Sequence, residues 1–215
     1  MYIVVAHGEW DVEWGKKILQ GSEVKKVIAA DGGADWTVMC GRMPDIVIGD
    51  LDSVTGETLA LCEHNRVCIE RYPQAKNETD LELALDWAHE QAGPDEVVLV
   101  GAGGGRVDQW LGNIGLLIKY AELGRRVSMR DAKSEAWVMG PGRQDLEAYQ
   151  GCVFSVLPLS AEVEAGGAGL EYPLDRLVLY RKRPRGVSNI VGSTGPNWLE
   201  IYRGTALLVA LRDCN

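Results

Sequence analysis

The chain has 215 residues, 46% of them apolar or aromatic and 25% charged, a composition that supports a packed core and excludes a disordered or fibrous protein. At roughly 100–200 residues per domain, this length holds one large domain or a medium domain with a small companion. Twenty-two Lys and Arg against thirty-one Asp and Glu give a net charge of −9, which argues against a nucleic-acid partner but permits a small anionic substrate whose charge a metal ion mediates.

Tyr2–Ala6 opens the chain as a short apolar strand. It is too short for a signal-peptide core and has no basic lead, and no eighteen-residue apolar stretch follows, so no membrane association is expected and the expected location is cytoplasmic. Lys26–Ala30, Ile46–Ile48, Arg66–Glu70, Val97–Val100 and Arg126–Met129 are the next predicted strands. Helical stretches separate them, the pattern of βαβ units around a parallel sheet. Leu81, Ala84, Leu85 and Ala88 stand at i, i+3, i+4 and i+7 behind a Thr79–Glu82 capping box. Trp110, Leu111, Ile114, Leu117, Ile118 and Ala121 mark a second helix, which Gly124 closes.

From about Gly142 the texture changes to short runs broken by Gly and Pro: Cys152–Leu157, Glu162–Glu164, Leu177–Leu179, Trp198–Tyr202 and Thr205–Leu211. The expected division is therefore an α/β domain over residues 1–141 and a β-rich domain over residues 142–215, punctuated at Met139-Gly140-Pro141-Gly142. The five cysteines are scattered and form no C-x-x-C pair, so five reduced thiols are expected rather than a disulfide framework or a zinc site.

Functional groups of open parallel sheets gather beyond the carboxyl ends of the strands. In this chain those positions read Asp31-Gly32-Gly33, Asp50-Leu51-Asp52-Ser53, Lys76 to Asp80, and Gly101-Ala102-Gly103-Gly104-Gly105-Arg106-Val107-Asp108. Converging carboxylates suit a hard cation such as Mg²⁺, and a glycine run before a helix lets backbone N–H groups approach phosphate. Asp50 and Asp52 need a turn or a bulge to face one ion. Asp80 by itself could merely offset a helix dipole, and His7, His64 and His89 read as surface or packing residues. The loop after Val100 fails the G-x-G-x-x-G fingerprint, and no P-loop motif occurs. Asp50-x-Asp52 also resembles the nucleophile motif of haloacid-dehalogenase-type phosphatases, although that motif normally closes the first strand rather than the third.

In their order along the chain, these segments resemble the thiamin pyrophosphokinase family. The likeness is carried by Asp31-Gly32-Gly33-Ala34, Pro44-Asp45-Ile46-Val47-Ile48-Gly49-Asp50-Leu51-Asp52-Ser53, Lys76-x-x-Thr79-Asp80-Leu81-Glu82 and Gly104-Gly105-Arg106-Val107-Asp108. Leu157-Pro158-Leu159-Ser160, Gly169-Leu170-x-Tyr172-Pro173-Leu174 and Gly186-Val187-Ser188-Asn189 continue it in the β-rich part.

The resemblance implies an N-terminal parallel-sheet α/β nucleotide-binding domain and a smaller C-terminal all-β sandwich that binds thiamine and dimerises. It implies a Mg²⁺-dependent homodimer that transfers a diphosphate group from ATP to thiamine, giving thiamine diphosphate and AMP. By motif position, Asp50, Asp52, Asp80, Asp108 and Arg106 would be catalytic, with Asp50, Asp52 and Asp80 on the metal. Asp31, Gly32, Lys76, Thr79, Gly104, Gly105 and Arg106 would meet the nucleotide, and Ser188 and Asn189 the thiamine. The chain has Ile190-Val191 where bacterial members usually have Glu-Phe, and Gln109 where His is common. A pterin alcohol as acceptor, or a non-catalytic nucleotide sensor on the same fold, are the alternatives that remain.

Overall fold

Five of the apolar runs become parallel strands in the computed structural model, which describes residues 1–212. They are β1 (Tyr2–Val5), β2 (Lys26–Ala30), β3 (Ile46–Gly49), β4 (Cys68–Arg71) and β5 (Val97–Val100), in the order β4-β3-β2-β1-β5. Val97–Val100 and Ile46–Gly49 are buried at every position, which is why these strands read as continuous apolar runs. Chain order runs outward from β1 through β4 and then returns to the other side of β1 with β5. The carboxyl ends of β1 and β5 thus flank the point where a crevice opens in such sheets.

The helices are α1 (Val12–Leu19), α2 (Gly33–Met39), α3 (Gly56–His64), α4 (Asp80–Ala92) and α5 (Val107–Glu122). α4 begins where the sequence signals it: Thr79 Oγ1 accepts the Glu82 N–H at 3.1 Å, satisfying one of the donors a helix start leaves unpaired. Its buried face, Ala84, Leu85 and Ala88, lies against β1, β2 and β3. That packing fixes the position of Asp80 in the first turn.

The chain divides into two compact units, Met1–Leu116 with Met129–Ala132, and Leu117–Ser128 with the chain from Lys133 onward. α5 and β6 (Val127–Arg130) run across the division. The second unit is built from β7 (Ser134–Met139), β8 (Gly142–Asp145), β9 (Val153–Pro158), β10 (Glu162–Ala168), β11 (Leu174–Tyr180), β12 (Asn189–Ile190), β13 (Trp198–Arg203) and β14 (Ala206–Leu211). They form two antiparallel arrays, β7-β14-β9-β12 and β11-β10-β13-β8. Alternation sends Phe154 and Val156 of the first array, and Leu199 and Ile201 of the second, into one core. Trp137, Tyr149 and Phe154 pack there with ring centroids 5.3 to 6.1 Å apart. The chain is therefore mixed α/β, with a large multi-strand sheet and a separate antiparallel sheet.

Three strands lack a sequence signal. β7 opens on polar Ser134 and Glu135 before its short apolar run, and Glu135 is a fully buried carboxylate bonded by the Tyr149 hydroxyl at 3.2 Å and paired with Arg212. β8, Gly-Arg-Gln-Asp, has no apolar residue and is held by pairing with β13, while β12 is only two residues long. Cys40, Cys62 and Cys68 are free thiols. Cys152 is disulfide-bonded, which corrects the expectation of five reduced thiols: wide spacing along a chain says nothing about proximity in the fold. Cys214, also among the five, lies outside the described residues. No helix among the described residues is long and apolar enough to cross a membrane.

Leu85 is fully buried on the face that seats α4. Leu85→Ala is expected to lower the unfolding free energy by about 2–5 kcal/mol, measured by urea titration. A loss below about 1 kcal/mol would show that α4 repacks freely and does not fix the position of Asp80.

Candidate active site

The acidic strand ends meet through two local backbone devices. Leu51 takes a left-handed conformation, φ 67°, and buries its side chain among Ala29, Ala34, Val47 and Cys62. With the residue between them anchored in the core, Asp50 and Asp52 turn to the same side. This is the turn their spacing required. The Asp52 N–H closes it on Asp50 Oδ1 at 3.1 Å. At Gly49, the last residue of β3, a Cβ atom would stand 3.0 Å from Asp31 Cβ and 3.1 Å from Asp80 Cγ. A Cβ there would crowd both side chains, and the φ of 151° also favours a residue without one.

Carboxylate oxygens of Asp31, Asp50 and Asp52 lie within 4.8 Å of one another. Asp31, expected at the nucleotide end, thus shares the group with two of the residues expected on the metal. Burial pushes the Asp31 carboxyl up, hydrogen bonds from Ser53 and Gly32 oppose this, and nearby Asp80 adds to it. The group is braced from outside: Ser53 Oγ donates to Asp52 Oδ1 at 2.9 Å and Gln74 Nε2 to Asp52 Oδ2 at 3.0 Å. Lys76 Nζ stands 2.8 Å from Asp80 Oδ1 and 4.0 Å from Asp50 Oδ2. Asp80 beside it holds the Lys76 ammonium above its ordinary range.

A cleft of about 580 Å³ opens next to this group, at the carboxyl ends of β1, β2 and β5. That volume suits a nucleotide-sized ligand. Asp31, Ser53, Thr79, Asp80, Gly104 and Asp108 line it, together with Ala6-His7-Gly8 after β1 and Gln109, Gly112 and Asn113 of α5. Asp50, Asp52 and Lys76 do not line the cleft; they stand beside it against Asp31 and Asp80, which do. Gly32 caps the start of α2. Gly105 spends its N–H on Glu9 Oε1, 3.0 Å away. Arg106 and Asp108, both largely exposed, grip each other through Nε to Oδ1 at 3.1 Å and a second, shorter bond. The guanidinium lowers the Asp108 carboxyl to about 2, with help from the Gln109 N–H.

Ser188 and Asn189 belong to the second unit. Ser188, at φ 60°, donates its N–H to Ser155 Oγ at 3.0 Å. Asn189 is a latch on its neighbours: Oδ1 accepts from the Tyr172 and Ile190 N–H groups at 3.0 and 2.8 Å, and Nδ2 donates to the Tyr172 carbonyl at 2.8 Å. It borders a hollow of about 80 Å³ with Tyr172, Leu174 and Arg185. Sequence reasoning missed Gln74, His7 and Asn113. His7 was within its reach, because it follows the first strand and the strand-end rule applies there as much as after β2, β3 and β5.

A family model described as thiamin pyrophosphokinase, catalytic domain, matches residues 19–129. A thiamine pyrophosphokinase of Bacillus subtilis (strain 168) is 33% identical over 150 residues, covering 69% of this chain and 70% of that protein. The crystal structure of thiamine pyrophosphokinase from Bacillus subtilis superposes with a TM-score of 0.85 at 27% identity over 99% of both chains. That from Geobacillus thermodenitrificans gives 0.85 at 27% over the whole of both. The thiamin pyrophosphokinase from Candida albicans shares the fold, at a TM-score of 0.79 and 15% identity over 99% of this chain and 88% of that one. Together with the carboxylate group at the strand ends, these matches establish that the chain belongs to the thiamin pyrophosphokinase family.

Proposed function

We propose that the cleft binds ATP and that the chain transfers its terminal diphosphate to the hydroxyl of thiamine, releasing AMP. The observation that carries this reading is the group of three carboxylates within 4.8 Å at the edge of a nucleotide-sized cleft, in a chain of this family. On this reading the α/β part, expected over residues 1–141, is the ATP-binding and catalytic domain. The β-rich part is a sandwich for thiamine binding and association into a homodimer.

The donor set fits a hard divalent cation. Every candidate ligand is a carboxylate oxygen, and those of Asp31, Asp50 and Asp52 lie within 4.8 Å of one another. Asp50, Asp52 and Asp80 would hold Mg²⁺, with Asp31 beside them, and the ion would supply positive charge against that of the phosphates. The chain's own residues do the rest. The acceptor oxygen attacks the β-phosphorus, the bond from that phosphorus to the oxygen shared with the α-phosphate breaks, and AMP leaves with that bond's electron pair. Asp108 faces this cleft, its carboxyl held down to about 2 while Arg106 grips it. Its role is to accept a hydrogen bond from the hydroxyl and orient it, the proton passing to solvent. Lys76 and Arg106 offer cations to the polyphosphate, and the Thr79 cap holds Asp80 in position. Ser188, whose hydroxyl bonds nothing among the described residues, and the loop that Asn189 latches to Tyr172 would meet the thiamine.

The direct test is AMP release from ATP and Mg²⁺ with thiamine or a pterin alcohol as acceptor. AMP formed with thiamine and not with the pterin supports the reading, whereas the reverse reassigns the acceptor. Asp52→Asn is expected to lower kcat by on the order of 100-fold or more with an unchanged circular dichroism spectrum. Full turnover at saturating Mg²⁺ would remove Asp52 from the site.

A second expectation concerns stability. The Asp31 carboxyl titrates higher in the folded chain than in the unfolded one, so its ionisation opposes folding. That penalty is complete above the folded pKa, fades as the pH falls through it, and is gone below the unfolded value. Asn also tolerates the left-handed backbone at this position. In chelator at pH 7, Asp31→Asn should unfold at a higher temperature than the parent, with the gap shrinking toward pH 4. A lower midpoint would mean that the Asp31 carboxylate stabilises the fold.

A further inference from the structure

We infer that His7 is a nucleotide-binding residue that donates its imidazole N–H to a polyphosphate oxygen; the inference rests on the ATP reading of the cleft. Four acids line that cleft, Asp31, Asp80, Glu82 and Asp108, and among its described lining residues His7 alone has a side chain able to carry positive charge. The cations nearest the carboxylates are already engaged, Lys76 with Asp80 and Arg106 with Asp108. His7 is exposed and makes no hydrogen bond or ion pair with any described residue.

The ring is nevertheless held in place. A Cβ on Gly32 would stand 2.3 Å from His7 Nδ1 and 2.6 Å from Cγ, so the imidazole is seated against the backbone at the start of α2 with its Nδ1 edge inward. Trp36 supports the ring from α2, its centroid 6.2 Å away at an angle of 56°. These contacts leave Nε2 as the nitrogen turned away from Gly32. A positioned donor loses little rotamer freedom on binding, which makes its hydrogen bond to an anion worth more than one from a mobile lysine. The placement also explains why Gly32 belongs to the acidic strand-end motif: any side chain there would displace the ring.

The test uses the whole chain with His7→Ala and His7→Gln, the glutamine retaining a donor of similar reach. His7→Ala is expected to raise KM for ATP roughly tenfold while changing KM for thiamine less than twofold, and His7→Gln should recover most of the loss. Binding of inorganic tripolyphosphate and of adenosine, measured by isothermal titration calorimetry, separates the possible contacts. Weaker tripolyphosphate binding with unchanged adenosine binding supports the inference. Weakened adenosine binding alone would reassign His7 to the base, and an unchanged KM for ATP in His7→Ala would overturn the inference outright. If the parent forms no AMP with thiamine, the proposed activity fails, and the tripolyphosphate measurement still decides the role of His7. A thermal midpoint of His7→Ala within a degree or two of the parent excludes a folding defect as the cause.

Discussion

Leu51 is the pivot of the site. Its left-handed backbone costs roughly 1–2 kcal/mol, and burying its side chain against Ala29, Ala34, Val47 and Cys62 offsets a similar amount. The near balance has a consequence: the turn is set by the apolar pocket under it rather than by any preference of the two acids it presents. Asp50 and Asp52 are carried to one side because the residue between them has somewhere dry to go. Against this the carboxylates repel. Two charges about 5 Å apart interact by about 3 kcal/mol at an effective dielectric constant of roughly 20. The braces from Ser53, Gln74 and Lys76 are the groups that keep such an arrangement folded.

The parallel sheet makes that local geometry useful. β2 and β3 are neighbours with Ala30 opposite Ile48, so the residues that follow them, Asp31 and Gly49, emerge side by side. α4 is pinned to the same strands by Ala84, Leu85 and Ala88, and its first turn delivers Asp80 over Gly49. Three separate chain segments therefore supply the acids, each positioned by core packing and joined to the others by the contacts of Ser53 with Asp31, Gln74 with Asp52 and Lys76 with Asp50. This division of labour lets the core tolerate an electrostatically unfavourable rim.

Much of this was legible in the sequence, for reasons that vary from place to place. Val97–Val100 and Lys26–Ala30 match their predicted bounds because strands buried on both faces leave uninterrupted apolar runs. The rim acids were legible because charged residues closing such runs need a partner or a purpose. β7 was not, since the buried Glu135 in it reads as a surface residue until Tyr149 and Arg212 are seen to reach it from distant parts of the chain. Asn189, which the resemblance implies as a thiamine contact, has its amide engaged with Tyr172 and Ile190, so it holds the shape of the loop on which it sits. Side-chain partnerships that cross long stretches of chain leave no periodic trace.

The cations around the cleft differ in how firmly they are held, and the difference orders what they can do. Arg106 and Asp108 have side chains 68% and 66% exposed, and ion pairs in that setting are screened by solvent and weak. An arriving polyphosphate can take the guanidinium from Asp108 at little cost, leaving that carboxylate free to face an acceptor hydroxyl. Lys76 is 11% exposed between Asp80 and Asp50, so withdrawing it uncovers shielded carboxylates and costs more. Of the two cations offered to the polyphosphate, Lys76 is therefore the costlier to move and Arg106 the readier to follow the nucleotide. His7, tethered by packing instead of by charge, has no carboxylate to give up before it can meet a phosphate.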